Sequence, residues 1–212
     1  MAFTVERLGY QPHLVDYRDA WALQSRYHDD VVRGDRPSTL LLLEHAAVYT
    51  AGRRTEDHER PTDGTAVIDV DRGGKITWHG PGQLVAYTIY RLEDPKDVRL
   101  FVEQLEQAII ALMTEHGIAA RTVDGRAGVW LPADDRGPVR KIAAIGIRIH
   151  DGVTMHGLAV NCSNESTGFD SIIPCGIVDA GVTTMSQELG RIITPAQVAD
   201  RLAELLDTRI SA

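Results

Sequence analysis

Gly128-Val129-Trp130-Leu131, Lys141-Ile142-Ala143-Ala144-Ile145-Gly146-Ile147-Arg148-Ile149 and Gly157-Leu158-Ala159-Val160-Asn161-Cys162 are three apolar runs in close succession. Each is short and rich in aliphatic side chains, so each reads as a strand. No regular alternation of strand and helix accompanies them, as a doubly wound parallel sheet would need. The expectation is a single α+β domain over residues 1–212, with a mixed, largely antiparallel sheet and helices packed against it.

Working outward, Phe3 to Leu8 alternates in strand fashion, Thr39 to Glu44 is a short aliphatic run, and Leu84 to Leu92 is β-branched and aromatic. Three stretches have helical periodicity. From Tyr17 to Val31 the stripe is Tyr17, Ala20, Trp21, Tyr27 and Val31, interrupted by polar Gln24. From Val98 to His116 it is Val98, Phe101, Val102, Leu105, Ile109 and Leu112, with Gly117 as the stop. Pro195 to Leu206 forms the last, with Thr194 as N-cap and Pro195 at the first helical position. Arg53 to Thr65 is rich in charge, proline and glycine and reads as an exposed loop.

The composition narrows the functional classes. The 212 residues are 43% apolar and 25% charged, which describes an ordinary globular chain with enough length for one substantial core. Met1 to Ala20 carries Glu6, Arg7, Asp16, Arg18 and Asp19, so it lacks the apolar core of a signal peptide. No apolar stretch approaches the ~20 residues that span a bilayer. The expectation is a cytoplasmic protein with no membrane partner, and a monomer by default. A net charge of −8 argues against a general nucleic-acid binder. A local basic patch at Arg53–Arg54, Arg72 with Lys75, or Arg140–Lys141 could still meet an acidic protein partner, although solvated surface charge is the plainer reading of each.

Cys162 and Cys175 are the two cysteines. Without an export signal, a structural disulfide is disfavoured. The eight histidines show no Cys-x-x-Cys, His-Glu-x-x-His or other ligand spacing, so no metal and no cofactor is expected.

The most unusual segment is Arg72-Gly73-Gly74-Lys75-Ile76-Thr77-Trp78-His79-Gly80-Pro81-Gly82-Gln83. Its glycines let a backbone approach a ligand closely, while the interleaved polar side chains orient it. Neither phosphate-loop nor dinucleotide-fingerprint spacing is present, so it reads as a binding loop or a pair of tight turns. In Ile172-Ile173-Pro174-Cys175-Gly176-Ile177 an apolar approach ends in a cysteine at a bend, whereas Cys162 ends a strand-like run. Cys175 is therefore the better nucleophile candidate; the alternative is a small buried side chain at a turn. Lys141 opens a strand of small and aliphatic residues, which leaves room for an acyl chain or for close helix packing.

Taken together, these segments resemble the lipoate-biosynthesis octanoyltransferases, the lipoate-protein ligase B family. The pattern Arg-Gly-Gly-x-x-Thr-x-His-x-x-Gly-Gln-x-x-x-Tyr runs from Arg72 to Tyr87. It is followed by Lys141 with Ala144-Ile145-Gly146, then His156-Gly157-Leu158-Ala159-Val160-Asn161, then Pro174-Cys175-Gly176. Thr88 stands where relatives often carry proline. The resemblance implies a biotin/lipoate protein ligase-like catalytic fold. It also implies transfer of octanoate from octanoyl-acyl carrier protein to a lysine ε-amine, the first step of endogenous protein lipoylation. The acceptors it implies are lipoyl domains of 2-oxoacid dehydrogenase E2 subunits and the glycine cleavage H protein. By the same resemblance Cys175 forms the thioester, Lys141 lowers its pKa, and Arg72 to His79, Ala144 to Gly146 and Gly157 to Ala159 line the substrate site.

The chemistry is consistent with these residue types. A free cysteine ionises near pH 8.5, about, so little is thiolate at neutral pH. An ammonium about 4 Å away contributes on the order of 4 kcal/mol at an effective dielectric of ~20, at most about a thousandfold in that ionisation before desolvation subtracts. In the second half-reaction a neutral Lys141 could take the proton of the attacking amine. His79 is the runner-up base, with orientation of the ligand its plainer role. Two rival functions remain open from the sequence. One is an ATP-dependent lipoate or biotin protein ligase; the other is a non-catalytic module that binds an acyl carrier.

Overall fold

A computed structural model describes residues 2–62, 64–94, 97–172 and 180–211. Within them, one sheet is built from β1 (Thr4–Gly9), β2 (Thr39–Leu43), β6 (Gln83–Ile89), β10 (Val153–Asn161), β9 (Arg140–His150), β8 (Arg126–Leu131) and β7 (Arg121–Val123), in that spatial order. β1 pairs with β2 in parallel, and the pairs from β2 to β7 are antiparallel. A two-residue strand, β11 (Gly181–Val182), adds to the start of β9 in parallel. A smaller sheet contains β3 (Val48–Ala51) between β4 (Val67–Asp69) and β5 (Thr77–His79). The mixed, largely antiparallel α+β fold expected from the sequence is the one observed.

The large sheet is covered on both faces, and β2 shows how. Leu40 and Leu42 join Phe101 and Leu105 of α2 (Val98–Glu115) and Leu202 of α4 (Pro195–Ile210) in one core. Leu41 and Leu43 join Tyr17 and Ala20 of α1 (Tyr17–Arg33) in the other. Because successive side chains point to opposite faces, a strand buried on both sides reads as an unbroken apolar run. All four leucines are fully buried.

Local sequence sets the helix ends. The Asp16 carboxylate accepts the N–H groups of Arg18 and Asp19, and Gly34 closes α1 in the left-handed region at φ 81°. Gln197 reaches back to the N–H of Thr194, 2.8 Å away, at the start of α4. Gln24, which breaks the apolar stripe of α1, is buried. Its Oε1 accepts the backbone N–H of His156 at 2.9 Å.

Several elements differ from the sequence reading. The glycine-rich segment contains β5, and β3, β4, β7, β11 and α3 (Met185–Leu189) are additional. These strands have two to four residues, so they carry too little periodicity to show; β7 pairs with its neighbour β8 in a local hairpin, while β3, β4 and β11 pair across longer separations. Cys162 lies one residue beyond the end of β10.

Candidate active site

The small residues of β9 and β10 lie beside each other: Ala144 pairs with Ala159, and Gly146 with Gly157. All four line a cavity of about 410 Å³. Glycine at 157 is enforced by packing, since a Cβ there would sit 2.1 Å from the Ala86 carbonyl oxygen. Glycine at 146 lets the Arg72–Gly73 backbone pass over the sheet; a Cβ would meet Arg72 Cδ at 3.1 Å and Gly73 O at 3.3 Å. That crossing is fixed by the Gly73 N–H donating to Ile147 O at 2.9 Å.

Arg72 holds its own loop together. Its Nη1 donates to the carbonyls of Gly73 (3.0 Å) and Lys75 (2.9 Å), and its Nη2 to Thr50 O (2.8 Å) and Oγ1 (3.0 Å). Lys75 is ion-paired with Glu56 at 2.8 Å and Glu59 at 2.5 Å. Arg140 is buried between Asp134 and Glu188. Of the three basic patches suggested by the sequence, only Arg53–Arg54 is an exposed arginine pair, and Arg54 borders the cavity.

Along β5 the alternation of a strand divides the glycine-rich motif. Thr77 and His79 line the cavity, with Arg72, Gly73, Gly74 and Lys75. Ile76 and Trp78 turn away and pack with Phe169 and Ile172 in a separate apolar cluster. Leu158 and Ile145 also border the cavity.

Lys141 sits in the cavity wall, 8% exposed, with Nζ 4.5 Å from the centre of the Trp130 ring. Among the described residues it forms no ion pair. Val182 is its register partner on β11, and Thr183 N–H donates to its carbonyl at 2.9 Å. Cys175 lies outside the described residues. Cys162 is fully buried, and burial pushes its thiol up to about 12, which leaves it unreactive.

Buried polar side chains line or back the cavity. Burial, reinforced by neighbouring His45, holds His79 down at about 3, so its imidazole is neutral at physiological pH. Its Nδ1 is 2.7 Å from Gln83 Oε1. His45 is likewise held at about 4 by burial, and its Nε2 is 2.6 Å from the Tyr87 hydroxyl. His156 has a left-handed backbone (φ 60°), unusual outside glycine, and its Nε2 donates to Asp71 Oδ1 at 2.9 Å. Hydrogen bonding from His156, with Arg148 beside it, keeps the Asp71 carboxyl below its ordinary range.

Tyr17, Tyr87, His156, Val102 and Arg126 line the cavity without having been singled out as site residues. Tyr87 and His156 lay in quoted motifs. Tyr17 and Val102 read as core positions of helices, and nothing in a helical stripe marks one member as facing a cavity. Among the described residues no helix is long and apolar enough to cross a membrane, and no group of three His, Cys, Asp or Glu is placed to hold a metal.

The chain belongs to the lipoyl protein ligase A/B catalytic domain family, whose model matches residues 16–207. Among its relatives are proteins named octanoyltransferase. That of Paenarthrobacter aurescens (strain TC1) is 60% identical over 204 residues, covering 96% of this chain and 92% of the relative. That of Renibacterium salmoninarum is 60% identical over 209 residues, covering 99% and 89%. The fold matches solved structures at low identity. A bi-partite lipoate protein ligase from Thermoplasma acidophilum has a TM-score of 0.73 at 13% identity, covering 100% of this chain and 84% of that one. A lipoate-protein ligase A bound with ATP has a TM-score of 0.54 at 11% identity, covering 99% and 82%.

Proposed function

We propose that this chain is an octanoyltransferase, acting as one catalytic domain. It takes an octanoyl group from acyl carrier protein onto Cys175 and passes it to a lysine ε-amine on a lipoyl domain. The acceptors are the lipoyl domains of 2-oxoacid dehydrogenase E2 subunits and the glycine cleavage H protein. The carrying observation is the cavity, in which paired small residues of β9 and β10 leave room for an aliphatic chain beside the Lys141 amine. The octanoyltransferase relatives at 60% identity support the same reaction.

In this reading Lys141, as ammonium, stabilises the Cys175 thiolate. The thiolate attacks the carrier thioester, and collapse of the tetrahedral intermediate expels the carrier thiolate, which takes the Lys141 proton. Lys141 is then neutral. The acceptor lysine attacks the Cys175 thioester as a free amine, gives its proton to Lys141, and the cysteine leaves as thiolate. The cycle thus returns to its starting protonation. The chain beyond Cys175 reaches the register partner of Lys141, Val182, in seven residues.

The test is to mix the purified protein with octanoyl-acyl carrier protein without ATP and record intact and peptide mass spectra. One octanoyl adduct on the Cys175 peptide, discharged by a lipoyl domain, is the expected result. Octanoylation of the acceptor only with ATP and free octanoate would instead assign an adenylating ligase.

A further inference from the structure

Beside the cavity runs a chain of hydrogen bonds whose direction can be assigned. The Thr183 carbonyl can only accept, so the Asn161 atom 3.1 Å from it is Nδ2. Asn161 Oδ1 therefore accepts from Gln83 Nε2 at 2.9 Å. The same Gln83 nitrogen also faces the Trp78 carbonyl at 3.4 Å, a second group that can only accept. Gln83 Oε1 must then accept from His79 Nδ1, 2.7 Å away, which places the imidazole proton on Nδ1. Gln83, Asn161 and Thr183 are buried, so water does not compete for these bonds.

The other ring nitrogen is consequently a bare lone pair. Among the described residues no hydrogen-bond donor occupies His79 Nε2, and the ring lines the cavity. A lone pair repels an oxyanion, so His79 cannot serve as an oxyanion donor. Its basicity is also too low for it to keep a proton. What remains is to accept a hydrogen bond from a reacting group that has a hydrogen to offer. A thioester offers none at its reacting centre, and the first nucleophile is a thiolate. The acceptor amine is the reacting group that does.

We infer that His79 Nε2 is a fixed acceptor that orients the N–H of the incoming lysine amine in the second half-reaction. The Gln83–Asn161–Thr183 chain is the positioning device that locks the required tautomer. The inference rests on the octanoyl-transfer reading above. The titratable groups facing the ring are Tyr17 and His45 by ring contact, with Arg72 and His156 further off.

The experiment separates the two half-reactions in single turnovers of the full chain. Loading of Cys175 from octanoyl-acyl carrier protein is timed first, then discharge to a lipoyl domain. His79→Phe is expected to slow discharge by on the order of 10- to 100-fold more than it slows loading. Gln83→Glu places a carboxylate against Nδ1 and lets the ring protonate nearer neutrality, so discharge should gain a new loss on acidification that loading lacks. In wild-type protein with ¹⁵N-labelled histidine, His79 should show the Nδ1–H tautomer unchanged from pH 5 to 8. A proton on Nε2, titration within that range, or equal slowing of both half-reactions by His79→Phe would overturn the inference. Wild-type protein that never loads octanoyl on Cys175 would overturn the transfer reading and this assignment with it. Normal loading with unaffected discharge in His79→Phe would overturn this assignment alone.

Discussion

Lys141 Nζ stands 4.5 Å from the centre of the Trp130 ring, and the two residues are register partners across β8 and β9. An ammonium over an indole face is favoured by about 0.5–2 kcal/mol, so the ring helps fix where the charge sits. Trp130→Phe keeps an aromatic face and should load octanoyl within about threefold of wild type, whereas Trp130→Leu should lose on the order of tenfold. Single-turnover loading measures both. Equal rates for the two variants would remove the ring from the account.

Arg72 donates to four oxygens on two segments of chain, a task that matches its planar fork. Lysine has one nitrogen and cannot span them. Arg72→Lys should therefore loosen the crossing over Gly146 and cost roughly 2–4 kcal/mol, with octanoyl transfer falling in parallel. Urea unfolding and acyl transfer are the two readouts. A variant as stable and active as wild type would show that the loop holds itself.

Two glycines predict contrasting costs. Gly117 has φ 77° and open space around it, so Gly117→Ala carries only backbone strain of about 1–2 kcal/mol. Gly157→Ala would drive a methyl into the Ala86 carbonyl between β10 and β6, and should cost about 3 kcal/mol or more. The measurement is the pair of unfolding midpoints; a reversed order would contradict the close approach.

The buried histidines predict acid sensitivity. In the unfolded chain His45 and His79 take up protons near pH 6.5, about, while burial holds them at about 4 and about 3 in the fold. Between those limits the unfolded state binds more protons, so stability falls as pH falls. Each histidine contributes a slope of up to about 1.4 kcal/mol per pH unit below about 6.5. Asp71, held low by His156, acts in the same direction at lower pH. Urea midpoints from pH 7.5 to 5 should decline steadily, and a flat profile would show that these rings are protonated in the fold.

The thiols should differ in chemistry. Cys162 is fully buried with its ionisation pushed up to about 12, so iodoacetamide at pH 8 should leave it unmodified in the native protein. Cys175 should be alkylated, and prior octanoyl loading should protect it. Peptide mass spectra after a short pulse distinguish the two sites.

The sequence made most of the large sheet legible, because its longer strands show themselves. Arg140–His150 and Val153–Asn161 hold nine or more residues each, and Val98–Glu115 carries a full helical stripe. The small sheet was hidden, because Val48–Ala51, Val67–Asp69 and Thr77–His79 take their identity from one another rather than from any local pattern. The motif from Arg72 to His79 read as a binding loop or a pair of tight turns, and its division into Thr77 and His79 on one side and Ile76 and Trp78 on the other needed a strand that the glycines concealed. Gln24 looked like a flaw in a stripe and proved to be the partner of the His156 backbone.

The alternation of Leu40 to Leu43 between two cores has a consequence for how the molecule comes apart. β2 belongs to the helical layer of α2 and α4 and equally to the layer of α1. Neither layer can detach without exposing two leucines of a strand whose other two leucines anchor the opposite layer. The two halves are therefore coupled into one cooperative unit, and the cavity survives or collapses with the whole. Amides of β2, β6 and β10 should exchange hydrogen only through global opening, at a common free energy.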